Sequence, residues 1–164
     1  MSTADIGTLQ RTATGFEGRL TRRLDHGADA IWRMLPDPQA MAQWLAPGNI
    51  ELCTGGAVRI DFVDSGIVID SRVTAFEAQR VLAYSWSSGN EPERPMRWEL
   101  APAGEGTALT LTLQIPAGED AAKACAGFEG HLDMLAAALE GVPIKFPFER
   151  FLQARSAYNA QLAG

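Results

Sequence analysis

The sequence predicts an α+β protein in which an antiparallel sheet, apolar on one face, packs against one long helix near the C-terminal end. Segments before residue 117 alternate apolar and polar side chains, which is typical of strands with one buried face. Residues of about 118–140 instead place apolar side chains at alternating steps of four and three, which forms one stripe along a helix. At 164 residues the chain is long enough for one domain with a core and too short for two comfortable ones.

The N-terminal part begins with residues 1–13, which we expect to form a flexible tail. Residues 14–24 alternate apolar and polar side chains and therefore form the first predicted strand. The period then changes, and residues 28–35 place their apolar side chains on one helical face. A second short helix follows, with Asp37 as its N-cap and Pro38 at its first position.

The middle of the chain is predicted to be a meander of strands separated by short turns. Apolar and polar residues alternate in segments 50–52, 58–62, 67–74, 81–86, 96–100 and 108–115. Short turns join antiparallel neighbours, because parallel strands need long crossover connections. We therefore expect a curved antiparallel sheet of about six or seven strands, with the helices gathered on its apolar face.

The long helix carries an uninterrupted apolar stripe that consists of Ala121, Cys125, Phe128, Leu132, Leu135 and Leu139. The charged residues of the segment lie off this stripe, namely Glu119, Lys123, Glu129, Asp133 and Glu140. Gly141 and Pro143 are stop signals for the helix. A cleft between the sheet and this stripe is the expected place for the function.

A C-terminal extension, residues 142–164, comes after the long helix and is expected to be helical. Phe148, Phe151, Leu152, Arg155 and Tyr158 lie roughly on one side of that helix. The leading expectation is that it packs on its own domain, residues 14–141. The alternatives are a contact in a homodimer and a lid on the cleft.

Composition narrows the range of functions. A net charge of −6 and scattered basic residues argue against a nucleic-acid partner and against an anionic membrane surface. The first residues show neither a signal peptide nor a membrane span, so we expect a cytoplasmic protein. We expect Cys53 and Cys125 to be thiols in a reducing compartment. The spacing of His, Cys, Asp and Glu indicates no metal site, and no cofactor motif is present.

Several segments resemble a known superfamily in their order and spacing. They are residues 30–38 (AIWRMLPDP), 43–48 (QWLAPG), 55–56 (GG), 80–86 (RVLAYSW), 106–107 (GT) and 127–135 (GFEGHLDML). Together they resemble the START-like, Bet v-type helix-grip superfamily, also called SRPBCC or polyketide-cyclase-like. The branch they are most similar to is that of the activators of the 90-kDa heat-shock protein ATPase (AHSA-like). The resemblance covers roughly residues 16–141, and Phe128 departs from it where the pattern usually has Trp.

The resemblance implies a sheet that grips the long helix, with a hydrophobic cavity between the two. Members bind lipids, hormones or polyketides, so we expect an apolar or amphipathic, lipid-like small molecule as the partner. Large aromatic side chains with few polar groups are typical of such a cavity, and equally of a plain core. The candidate cavity-lining residues are Trp44, Phe62, Ile69, Ser71, Tyr84, Trp86, Trp98, Phe128, Leu132 and Leu135.

Two other functions stay open at this point. A chaperone-activator module would work through the outer face of the sheet and its loops. A cyclase- or hydrolase-like enzyme would use His131, Tyr84 or an acidic group at the rim of the cavity. No motif supplies a catalytic set of residues, so we predict no catalytic residue.

Overall fold

The structure is a computed structural model that describes residues 6–62 and 65–163. Along the chain the elements are β1 (Thr8–Arg11), β2 (Gly15–Leu24), α1 (Ala28–Met34), α2 (Pro38–Trp44), β3 (Gly48–Ile50), β4 (Ala57–Phe62), β5 (Ile67–Glu77), β6 (Val81–Ser85), β7 (Pro95–Ala103), β8 (Gly106–Pro116), α3 (Ala121–Leu139) and α4 (Phe148–Ala163). Every strand pairing is antiparallel, and the strand order is β1-β2-β8-β7-β6-β5-β4-β3. The predicted α+β class and the curved antiparallel sheet around a long helix are confirmed.

The sheet has eight strands within the described residues, one or two more than expected. One addition, β1, lies in the segment that was expected to be a flexible tail, of which residues 1–5 are outside the described residues. β1 pairs with β2 from Thr8 opposite Arg19 to Arg11 opposite Phe16. Leu9 is buried, and its N–H donates to Gln161 Oε1 at 2.8 Å. This partner is 152 residues away, so the local pattern around Leu9 could not show it.

The second short helix, α2, begins where its capping residue predicts. The Asp37 side chain accepts a hydrogen bond from the Ala40 N–H at 2.9 Å, and Pro38 is the first residue of α2. Asp120 caps α3 in the same way through the Lys123 N–H at 3.1 Å. The long helix therefore begins a little later than the sequence indicated, because its N-cap is Asp120.

The apolar stripe of α3 is buried against the sheet from Ala121 to Leu135, and Leu139 is partly buried. Glu129, expected off the stripe, is also fully buried. The reason is a second layer on that side of the helix, made by β1, the side chain of Arg22 on β2, and α4. Glu129 thus lies off the apolar stripe, as predicted, and this second layer buries it nevertheless.

Helix α4 packs back on α3 and β1, so it is part of the same body as the sheet. Its Ala154 and Tyr158 belong to the hydrophobic core. Phe148 and Leu152 were predicted on the same side as Tyr158, but they lie on the other side and are 61% and 48% exposed. A homodimer through this extension stays a prediction. No helix in the described part of the chain is long and apolar enough to cross a membrane.

A candidate ligand cavity beside the long helix

A cavity of about 520 Å³ lies between the sheet and one side of α3. Ten of the lining residues are apolar or glycine: Phe62, Ile67, Ile69, Trp86, Leu113, Ile115, Ala124, Gly127, Phe128 and Phe151. Seven are polar or charged: Glu91, Arg94, Gln114, Glu119, Asp120, Lys123 and His131. A largely apolar hollow with a few polar groups at fixed places is typical of a small-molecule site.

Apart from Phe128, which belongs to the apolar stripe, α3 borders the cavity with the face next to that stripe. Asp120, Ala124, Gly127 and His131 succeed one another at steps of four, three and four along this face. The two small residues in the middle leave the space open. A Cβ atom placed on Gly127 would meet no other atom within 4 Å. The hollow therefore exists partly because α3 presents Ala and Gly here.

Aromatic rings from the sheet, together with Phe128 of α3, form another part of the wall. The rings of Trp86 and Phe128 lie 5.1 Å apart at an angle of 71°, and those of Phe62 and Trp86 lie 5.8 Å apart at 79°. Such edge-to-face contacts hold each ring in a defined orientation. Phe62 ends β4 and Trp86 comes directly after β6, so the sheet positions both.

Four of the ten candidate residues line this cavity, namely Phe62, Ile69, Trp86 and Phe128. The other six, Trp44, Ser71, Tyr84, Trp98, Leu132 and Leu135, do not line it and contribute to the packing around it. For these six the expected position at the cavity wall is corrected. Whether the first four contact a ligand stays a prediction.

The rings of Trp44 and Trp98 fill the core instead. They pack edge to face, with centroids 5.6 Å apart, and both are almost fully buried. Trp44 Nε1 donates to the Met34 carbonyl at 2.8 Å, and Trp98 Nε1 donates to the Tyr84 hydroxyl at 3.4 Å. Burial raises the pKa of Tyr84 far above its ordinary value, so its hydroxyl stays protonated.

The remaining three residues also interact with other parts of the protein and not with the cavity. Ser71, expected to offer an inward hydroxyl to a ligand, donates it to the Ser85 carbonyl at 2.7 Å. Leu132 and Leu135 continue the apolar stripe beneath the sheet and are buried. Periodicity showed correctly that these side chains point inward, but it cannot separate a filled part of the interior from a hollow one.

The charged end of the cavity was not predicted from the sequence. Arg94 forms a fork with Glu119, with Nε–Oε1 at 2.8 Å and Nη2–Oε2 at 3.0 Å. Its Nη1 donates to the Trp86 carbonyl at 3.1 Å. The hydrogen bond that Arg94 donates to Glu119 is the main cause that raises the pKa of Arg94. The two residues are 25 positions apart, in a loop and before a helix, so no local pattern links them.

His131 lies at the other end, between the aromatic rings of Phe62, Phe128 and Phe146. Its Nδ1 is 2.8 Å from the Trp44 carbonyl oxygen, which can only accept a hydrogen bond. Burial lowers the pKa of His131, so the ring is neutral at neutral pH, with its proton on Nδ1. An acid–base role for this residue stays a prediction.

The C-terminal extension also contributes to the site. Phe151 of α4 is part of the cavity wall, and its ring lies 5.8 Å from that of Phe146. Phe146 in turn packs on the bare backbone at Gly130, where a Cβ atom would approach its ring to 2.6 Å. Apolar spacing in the extension predicted a buried side, and a lid on the cleft was one of the alternatives left open for it.

A long helix held by a curved antiparallel sheet, with a cavity between the sheet and one side of the helix, defines a helix-grip protein of the SRPBCC class. The resemblance seen in the sequence is thereby confirmed at the level of the fold. The chain belongs to the family of activator of Hsp90 ATPase homolog 1-like proteins, whose family model matches residues 25–140.

Solved structures support this assignment. CalU16 from Micromonospora echinospora has a TM-score of 0.79 at 19% identity, with 96% of each chain covered. BPP1335 from Bordetella parapertussis has a TM-score of 0.73 at 26% identity, with 99% of this chain and 96% of that one covered. DynU16, described as a protein in the dynemicin biosynthetic locus, has a TM-score of 0.70 at 31% identity over 77% of this chain and 48% of its own. A comparison with curated proteins found no match.

Proposed function

We propose that this protein binds an apolar or amphipathic small molecule in the cavity beside α3. The observation that carries the proposal is the hollow itself, about 520 Å³ with an aromatic wall. Small-molecule sites commonly have volumes of about 300–1,000 Å³ and mostly apolar walls. The similarity to DynU16, a protein of a biosynthetic locus, is consistent with a small-molecule ligand.

Binding would derive mainly from the burial of apolar surface. Removal of apolar surface from water is favourable by about 25 cal/mol per Å², from which the cost of association must be subtracted. Phe62, Ile69, Trp86 and Phe128 would supply the contacts, and Phe151 would supply one from the extension. Because edge-to-face contacts already orient the rings of Phe62, Trp86 and Phe128, little side-chain ordering is left for the binding step.

The test is a titration with N-phenyl-1-naphthylamine, an uncharged probe whose fluorescence rises in apolar surroundings. The wild-type protein should bind it saturably with a stoichiometry of one. Trp86→Leu should weaken binding about fivefold or more, because it removes the largest ring of the wall. Native mass spectrometry of freshly purified protein then shows whether a small molecule is retained.

Trp32→Leu is the matched control. Trp32 is a buried tryptophan, whereas Trp86 is half-buried, and Trp32 packs against Phe76 outside the cavity. It should lose stability without a change in probe affinity. Absence of saturable binding to the wild-type protein, or equal losses in the two variants, would contradict the proposal.

The family description favours a second candidate, stimulation of an Hsp90-type ATPase through the outer face of the sheet. That face carries charged pairs such as Arg59–Asp70 at 3.9 Å and Arg97–Glu99 at 3.3 Å. Addition of this protein to purified Hsp90 during measurement of ATP hydrolysis tests the candidate. A higher rate would support it, and an unchanged rate would contradict it.

A further inference from the structure

The charges around the cavity cancel one another, so the cavity offers no net charge to a ligand. Three carboxylates, Glu91, Glu119 and Asp120, line it together with Arg94 and Lys123. Asp120 is paired with Arg155 at 2.8 Å, which makes three cations for three anions. The guanidinium of Arg94 already binds Glu119 and a backbone carbonyl, so it has little capacity left for an anionic ligand.

At the aromatic end of the cavity, the polar group that remains available is Nε2 of His131. Nδ1 is occupied by the Trp44 carbonyl, and within residues 6–62 and 65–163 no hydrogen bond to Nε2 occurs. The described residues also contain no buried side-chain nitrogen or oxygen without a partner. Nε2 is therefore accessible, and His131 is one of the residues that line the cavity. In a neutral ring protonated on Nδ1, Nε2 is an acceptor.

The ring cannot easily turn away from this orientation. Phe62, Phe128 and Phe146 pack around it with centroids 6.0, 6.1 and 5.3 Å from its own. The hydrogen bond to the Trp44 carbonyl fixes which nitrogen faces that carbonyl. His131 thus presents one acceptor in a fixed direction next to an aromatic wall.

The acceptor and the charged end are well separated. Asp120 and His131 are 11 positions apart on one helix, which corresponds to about 16 Å along the axis. An aromatic ligand next to His131 would therefore be surrounded mainly by Phe62, Trp86 and Phe128, away from the Arg94–Glu119 pair.

We propose that the cavity selects an uncharged aromatic molecule that carries a hydroxyl group, and that this hydroxyl donates a hydrogen bond to His131 Nε2. The inference rests on the proposed function and adds the chemical class of the ligand. A phenol or an aromatic enol fits this description. A carboxylate does not, because it would bring an unpaired charge and no donor to an acceptor.

The test compares three probes of similar size: 2-naphthol, 2-methoxynaphthalene and 2-naphthoate. Their affinities are measured at neutral pH by displacement of N-phenyl-1-naphthylamine. The naphthol should bind wild-type protein about three- to tenfold more tightly than the ether, the net effect of one hydrogen bond. The naphthoate should bind least tightly of the three.

His131→Asn is the informative variant, because its amide can still donate to the Trp44 carbonyl while no acceptor remains at the position of Nε2. The preference for the naphthol over the ether should fall to about one. His131→Phe should give the same result and serves if the Asn variant does not fold. His26→Asn is the control, because the other histidine pairs with Glu140 at 2.6 Å outside the cavity. It should retain the preference.

Two kinds of failure are distinguishable. If N-phenyl-1-naphthylamine does not bind the wild-type protein, the proposed function fails, and this inference fails with it. If that probe binds but the naphthol has no advantage, or keeps its advantage in both His131 variants, only the inference about His131 is overturned. Tightest binding of the naphthoate would likewise overturn it.

Discussion

Two glycines in one turn of α3 show how the absence of a side chain determines the shape of the interior. A Cβ atom on Gly127 would point into open space, whereas a Cβ atom on Gly130 would lie 2.6 Å from the ring of Phe146. Both residues lie in the middle of a helix, where glycine costs about 0.5–1 kcal/mol relative to alanine. The first glycine keeps the cavity open, and the second allows the extension to pack closely.

We therefore expect different effects from the same substitution. Gly127→Ala should raise the free energy of unfolding by about 0.5–1 kcal/mol, because the helix gains and no contact is disturbed. Gly130→Ala should yield no such gain, because the new methyl group displaces Phe146 from its place beside His131. Urea unfolding of both variants measures the difference. A Gly130→Ala protein at least as stable as Gly127→Ala would contradict this explanation.

At the scale of the elements, one buried carboxylate joins three parts of the chain. Glu129 of α3 accepts hydrogen bonds from the Tyr158 hydroxyl of α4, from the Gly7 N–H before β1 at 2.8 Å, and from Arg22 Nη2 of β2 at 2.6 Å. Arg150 of α4 lies 3.6 Å from the same carboxylate. The added layer of β1 and α4 is thus held by polar contacts as well as by apolar packing.

The two tyrosines of the chain allow a matched test of this arrangement. The Tyr158 hydroxyl donates to Glu129 and accepts from the Gly7 N–H at 2.9 Å, whereas the Tyr84 hydroxyl has one long contact with Trp98 at 3.4 Å. Tyr158→Phe should lower the free energy of unfolding by about 1–3 kcal/mol, because it leaves a buried carboxylate with one donor fewer. Tyr84→Phe should cost less. Chemical denaturation measures both, and a larger loss in Tyr84→Phe would contradict the assignment.

The elements differ in how far the sequence could predict them. Periodicity predicts helix α3 and strands β2, β4 and β8. Each of them has one buried face, so apolar side chains recur at regular intervals along its sequence. Strand β1 has four residues and owes its position to Gln161 at the other end of the chain, so its own sequence shows little.

The same limit applies to the candidate site. Periodicity indicated that Trp86, Trp98 and Phe128 face inward, and all three are buried or half-buried. It could not show that Trp98 fills the core while Trp86 borders the cavity, because that depends on small residues of another element such as Gly127. The ion pair of Arg94 with Glu119 forms only after the fold brings loop and helix together.

At the scale of the whole molecule, the enclosed histidine makes stability depend on pH. Burial lowers the pKa of His131 in the folded state below its ordinary value of 6.5, so the unfolded chain binds more protons in the window between the two pKa values. The contribution of His131 to stability is therefore present above pH 6.5 and is lost as the pH falls through the folded-state pKa.

Denaturant unfolding of the wild-type protein and of His131→Asn, measured at several pH values below 7, should reveal this contribution. The wild-type protein should lose more stability on acidification than the variant, because the amide does not titrate while every other titratable group is present in both. Identical pH profiles would show that His131 is as easily protonated in the folded protein as in the unfolded chain.

Phe151 has a consequence for how related proteins diverge. The family match ends at residue 140, yet this side chain from beyond the match closes part of the cavity. Homologues that share the whole matched region but have a different C-terminal segment would have a different cavity wall at this point. If the cavity binds a ligand as proposed, an exchange of that terminal segment would alter which ligand fits, while the matched region remained unchanged.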